Sequence, residues 1–192
     1  MTTQNKTKTM VLGAVLTALV VILQLLGAVI KLGPFSISLV LVPIVIGAAT
    51  CGAIMGGWLG LTFGVAVLIS GDASLFLSVN TLGTVATVLL KGALCGYIAG
   101  LIYKMIEKFN QTAAVAVSAI VCPIVNTGIF LLGCLLFFMP TVTEWAIAFG
   151  MGDNVGKYMI VGLVGLNFLV EVAVNIVLSP IIVILLNYRK KA

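Results

Sequence analysis

Charge is almost missing from the interior of this chain. Uncharged stretches run over 9–30, 32–71, 73–90, 92–103, 109–143, 158–170 and 172–188, and most charged residues fall at their edges. A typical soluble domain is about a quarter charged, against 8% here. Hydrophobic residues make up 62%, and the mean hydropathy is +1.32. Such a chain reads as an integral membrane protein whose solvent is the lipid bilayer. A cytosolic enzyme, a nucleic-acid binder and a disordered segment are excluded. The net charge of +5 belongs to membrane topology, because the basic residues flank apolar runs.

A helix needs about 20 residues to cross the hydrocarbon core. The runs therefore predict an all-α membrane protein, one transmembrane domain over 1–192, with six helices near 9–30, 36–50, 53–70, 77–103, 112–139 and 158–188. The first run follows Lys6 and Lys8, as a signal peptide would. It is too long for that apolar region, and no small-residue cleavage site follows it, so it reads as a retained span. Within 32–71, the glycines from Gly47 to Gly57 carry turn chemistry and predict two short helices meeting in a tight hairpin at about 50–53. With the N-terminus inside, Lys6, Lys8, Lys104, Lys108, Arg189, Lys190 and Lys191 face the cytoplasm. Lys31 and Lys157 face out, with Asp72, Glu144 and Asp153. That asymmetry obeys the positive-inside rule and places both termini in the cytoplasm. The outer loops are then 31–35, 71–76 and 140–157, the last long enough to cover a site.

Several chemistries are absent. There is no histidine, hence no usual general base, no commonest transition-metal ligand and no Ser–His pair. No metal site and no cofactor are expected. Cys51, Cys95, Cys122 and Cys134 form no CxxC and read as small buried hydrophobes. The chain has no phosphate-binding loop, so energy from ATP has to come from another chain.

Only Lys91 and Glu171 put charge inside predicted spans. An intramembrane charge costs about 2.5–3.5 kcal/mol on insertion scales, which usually means a partner or a function. At 1.5 Å per residue both lie roughly 20 Å below the outer helix ends, at similar depth and with opposite sign. Two readings stay open: an ion pair that only locks two helices, or a ligand or ion-pathway role. Amides gather with these charges. Asn167, Glu171 and Asn175 share one helix face, Asn126 lies mid-span in the fifth helix, and Asn80 lies near the outer end of the fourth. Each amide alone is explained by an interhelical hydrogen bond. Together with the charges they predict a polar cavity in the outer half, with Asn80 nearer its mouth. Small residues mark close-packing faces: Ala14 and Ala18 in the first helix, and Gly56, Gly60 and Gly64 in the third. Trp145 in the third outer loop reads as an interfacial anchor or a ligand-stacking ring.

The Ala14-x-x-x-Ala18 pair, the short Gly-rich second and third helices and the segment Leu89-Leu-Lys91-Gly-Ala-Leu-Cys-Gly-Tyr-Ile-Ala-Gly100 together resemble the substrate-binding S component of an energy-coupling factor (ECF) transporter. The resemblance spans the whole chain. It implies a bacterial cell-membrane protein that binds a small water-soluble vitamin or precursor on its outer side. Transport then requires a transmembrane T subunit and two ABC ATPases, with the subunit contact at Ala14 and Ala18. Substrate-binding residues would be Lys91, Asn126, Asn167, Glu171 and Asn80. Nickel and cobalt members carry a Met-His motif, which this chain lacks. Flavin, thiamine and cobalamin usually need aromatic walls, and few aromatics lie near the polar cluster in sequence (Phe76, Phe130, Phe168). A small anion such as pantothenate, paired with Lys91, is therefore favoured.

Two rivals remain. A stand-alone secondary transporter or channel would use Glu171 and Lys91 as its ion site, although the chain lacks inverted-repeat symmetry. An intramembrane enzyme is disfavoured, since there is no acid pair and no Ser/Lys dyad at a plausible spacing.

Overall fold

Two asparagines set where the central helices begin. Asn80 Oδ1 accepts from the Gly83 amide at 2.9 Å and Asn110 Oδ1 from the Ala113 amide at 3.0 Å, each satisfying an amide that the first helical turn leaves unpaired. The helices they start are α5 (Thr81–Ile106) and α6 (Gln111–Gly133). In the computed structural model the described residues are 3–28, 31–32, 35–36, 39–152 and 154–191. Before α5 come α1 (Thr3–Gly27), a two-residue antiparallel pair β1 (Lys31–Leu32) and β2 (Phe35–Ser36), α2 (Leu41–Cys51), α3 (Ala53–Ser70) and the short α4 (Ser74–Leu77). After α6, a π-helical turn over Cys134–Phe138 leads into α7 (Met139–Ala148). Then follow α8 (Val155–Lys157), a second π-helical turn over Tyr158–Leu163, and α9 (Gly165–Lys191).

Among the described residues, five helical stretches are long and apolar enough to cross a membrane: Thr7–Gly27, Ala53–Ser70, Thr81–Ile106, Gln111–Ala148 and Gly165–Tyr188. The sixth expected helix exists as α2 but has only 11 residues, about 16 Å at the α-helical rise. It is apolar on all sides and packs against α1, α3, α5, α6 and α9, as a helix does when protein surrounds it. Gly52, at φ +94°, is the single residue between α2 and α3, close to the expected turn at 50–53.

Several boundaries differ from the sequence expectation. The fourth helix begins at Thr81 rather than 77, because Asn80 caps it and 74–77 forms a separate turn. The fifth continues past 139 to Ala148. Pro140 does not break it, since it sits in the first turn of α7, where a missing N–H has no partner to lose. Much of the expected loop 140–157 is therefore helical. The sixth opens with the π-helical turn at Tyr158 before α9. Residues 29–30, 33–34 and 37–38, in the first two predicted helices and their loop, and Asp153 lie outside the described residues.

The α3–α5 seam is the tightest contact. Gly56, Gly60 and Gly64 of α3 face Gly96, Gly92 and Val88 of α5, and a Cβ at Gly60 or Gly92 would run into the backbone carbonyl of the other. Small-residue spacing on both helices allows this backbone approach. Ser118 Oγ, buried on α6, donates to Ala99 O of α5 at 3.0 Å and ties the third helix of the centre. No disulfide joins the cysteines among the described residues, and Cys95, Cys122 and Cys134 are buried, as small hydrophobes are.

Candidate functional site

Helical spacing builds one cavity from several segments. On α5, Thr84, Thr87, Val88 and Lys91 fall on one face. On α6 the same register gives Asn126, Thr127 and Phe130, and on α9 it gives Asn167, Phe168 and Glu171. Phe63 and Val67 of α3 complete the wall. Gly71, in the left-handed region at φ +82°, ends α3 and turns the chain so that Asp72, Ala73 and Phe76 reach the same space from above. The cavity holds about 90 Å³. One water needs roughly 10–15 Å³ measured in this way, so the space suits a handful of waters or one small organic molecule. It lies at the end of the bundle away from both chain termini.

The Lys91 ammonium sits over two rings, 5.5 Å from the Phe63 centroid and 5.6 Å from that of Phe130. Such cation–π contacts are worth about 2 kcal/mol when water is excluded, which offsets part of the cost of holding a charge at this depth. Glu171 is buried, and its carboxylate and that of Asp72 both act electrostatically on Lys91. Asp72 is fixed from α1: Gln24 Nε2 donates to its Oδ2 at 2.6 Å and reaches Ser70 Oγ at 3.4 Å. Gln24 is 1% exposed, so an amide in the first span holds an acid at the cavity mouth. Three lining polar atoms, Thr87 Oγ1, Asn126 Oδ1 and Asn167 Oδ1, are buried and find no hydrogen-bond partner among the described residues.

Of the five residues assigned to a site from sequence, Lys91, Asn126, Asn167 and Glu171 line this cavity. Asn80 is not among its lining residues. Its side chain caps α5, so its polarity is explained by helix initiation. Asn175, on the same face as Asn167 and Glu171, donates from Nδ2 to the Glu171 carbonyl at 2.8 Å. Sequence reasoning missed Asp72, Thr84, Thr87, Thr127, Phe63 and Phe138. It also missed Gln24 behind them, although a lone amide in the apolar run 9–30 was a usable signal. The expected shortage of aromatic wall is corrected: Phe63, Phe76, Phe130, Phe138 and Phe168 all line the cavity, because the fold gathers rings that are scattered in sequence. Phe76 is their hub, edge-to-face with Phe138 at 4.9 Å and with Phe130 and Trp145 at 5.5 Å. Trp145 thus backs the cavity wall rather than serving as an anchor in a loop.

The family model for the substrate-specific component of ECF transporters matches residues 8–183. The chain belongs to that family. Members are substrate-binding membrane subunits that work with ECF T and ATPase partners. Comparison with curated proteins and with solved structures finds no match. This S component is a multi-pass membrane protein. The Ala14 and Ala18 positions assigned to subunit contact are exposed on α1, one helical turn apart.

Proposed function

We propose that this S component captures a small water-soluble vitamin or vitamin precursor at the outer end of its bundle, in a bacterial cell membrane. It then delivers the molecule inward together with a T subunit and two ABC ATPases. The observation that carries the reading is the cavity that brings a buried ammonium, two carboxylates, two amides and five phenyl rings together at the end remote from the basic tails. Polar groups held at this depth in an apolar bundle mark a solute site. Lys91, Asn126, Asn167 and Glu171 are the proposed substrate contacts, with Asp72 and Thr87 added. Asn80 is withdrawn to a capping role. The small flexible anion favoured from sequence now rests on Lys91 alone, since its other argument was a lack of aromatic walls.

Ala14 and Ala18 are the proposed contact with the T subunit, supported by their exposure on α1 and by the close helix approach that small residues permit. Replacing both by Trp should leave ligand binding by the isolated chain unchanged and abolish uptake in proteoliposomes containing the T subunit and ATPases. Joint loss of binding and uptake would return the pair to internal packing. Uptake by the chain alone, without ATPases, would replace the S-component reading by a stand-alone transporter.

A further inference from the structure

Gln24 is a polar residue of the first span that the transport reading does not use. It continues the buried face of α1 begun by Leu16 and Val20, and the three are 5%, 0% and 1% exposed in chain order. An amide among such neighbours needs partners. Its Nε2 reaches Asp72 Oδ2 at 2.6 Å and Ser70 Oγ at 3.4 Å. Chemistry fixes the direction of both contacts. A carboxylate oxygen only accepts, and the Ser70 hydroxyl gives its own proton to the Val67 carbonyl at 3.1 Å. The amide nitrogen therefore donates twice. The shorter bond goes to the carboxylate, as charge-assisted bonds do. Ser70 is the last residue of α3 and would suffice to tie α1 to α3. The stronger bond instead goes two residues further, to an acid that shares the cavity with Lys91.

Asp72 stands on a tight turn. Ser74 N donates to the Gly71 carbonyl at 3.0 Å, and Phe76 and Leu77 N donate to that of Ala73 at 3.1 and 2.9 Å. These bonds set the path of the backbone and leave the Asp72 side chain its rotamers. The Gln24 bond selects one of them, and with it the place of a negative charge at the cavity mouth. A fixed charge beside low-dielectric walls raises the local concentration of solutes of opposite sign and lowers that of like sign. Resting on the transport reading above, we propose that Gln24 is a positioning residue of the substrate site: from the first helix it sets where the Asp72 carboxylate stands, and through that charge it sets how readily solutes of each sign enter the cavity.

The test does not depend on which solute is carried. Thr127→Cys puts a thiol on the cavity lining of the full chain in dodecyl maltoside micelles, and the parent chain gives the background from the native cysteines. The probes are 2-(trimethylammonio)ethyl and 2-sulfonatoethyl methanethiosulfonate, similar in size and opposite in charge. Each transfers its alkylthio group to the thiolate, forming a disulfide and releasing methanesulfinate. Intact-protein mass spectrometry gives each rate, which is divided by the rate with free 2-mercaptoethanol. The cation-to-anion ratio should fall about tenfold or more in Asp72→Asn. It should fall about threefold or more in Gln24→Met, which keeps the volume and leaves the carboxylate in place without its donor. Gln24→Ala should repeat that fall. Added to Asp72→Asn, Gln24→Met should leave the ratio unchanged, because a residue that acts through another is not additive with it. A bond that only ties helices together would alter both rates alike and leave the ratio at the parent's value. An unchanged ratio in Asp72→Asn or in both Gln24 variants, or a further fall when Gln24→Met is added to Asp72→Asn, would overturn the proposal and leave the transport reading standing. No modification of the introduced thiol by either probe would overturn the outward-facing solute cavity, and the proposal with it.

Discussion

Along α5, Gly92 and Gly96 press against the backbone of α3, while Thr84, Thr87 and Lys91 line a cavity between α5, α6 and α9. One helix carries both a glycine face pressed on a neighbouring backbone and one wall of the cavity. On the first face, removing side chains lets two backbones touch, and dispersion between close-packed atoms holds them. On the second, Thr87 Oγ1 is buried and finds no hydrogen-bond partner among the described residues, at a cost in stability. The tight seam holds α3 and α5 in place, so the looser side keeps a defined shape for a solute. The contrast predicts that changes at the seam are felt as stability and changes at the cavity as affinity.

The largest effect should come from the seam. Gly60→Val puts branched carbons where the Gly92 carbonyl lies. Overpacking typically costs about 1–3 kcal/mol, and a backbone neighbour cannot move aside as a side chain can, so a loss of about 3 kcal/mol or more is expected. Thermal unfolding in detergent measures it. Gly128→Ala is the control: a Cβ there meets nothing within 4 Å, and stability should hold or rise slightly. Equal losses in the two variants would remove the seam from the comparison.

Next comes the charge in the cavity. Lys91→Met should weaken binding of the co-purifying ligand, identified by mass spectrometry, by about tenfold or more, the scale of a lost hydrogen bond to a charged group. Calorimetry on the detergent-solubilised protein reads it. Combining Lys91→Met with Glu171→Gln separates the two roles left open by the sequence. If the pair only locks helices, the double variant regains both stability and affinity. If Lys91 meets the ligand, stability recovers and affinity does not.

The smallest effect sharpens the boundary between the two regions. Asn80→Ala removes the α5 cap and should cost about 1 kcal/mol of stability, with ligand affinity changed by less than about twofold. A large affinity loss at unchanged stability would return Asn80 to the binding site.

The sequence by itself determined the class of molecule. Uncharged runs separated by basic residues leave no alternative to a helical membrane protein, and the first-helix alanines with the Lys91–Gly100 segment pointed to the family. Lys91, Asn126, Asn167 and Glu171 were legible because polar groups stand out at intramembrane positions, where each needs a reason. Tertiary structure decided the rest. Asn80 has the same chemistry as Asn126, and only the position of the helix start shows that its oxygen is used by Gly83. The glycines of α3 were legible as a packing face, but their partners Gly92 and Gly96 were not, because spacing on one helix does not say which helix will meet it. Asp72 and Gln24 are far apart in sequence and meet across α1 and the turn after α3. The phenyl wall draws on α3, α4, α6, the first π-helical turn and α9. A count of aromatics along the chain could not reveal it, because a cavity wall is a property of neighbours in space.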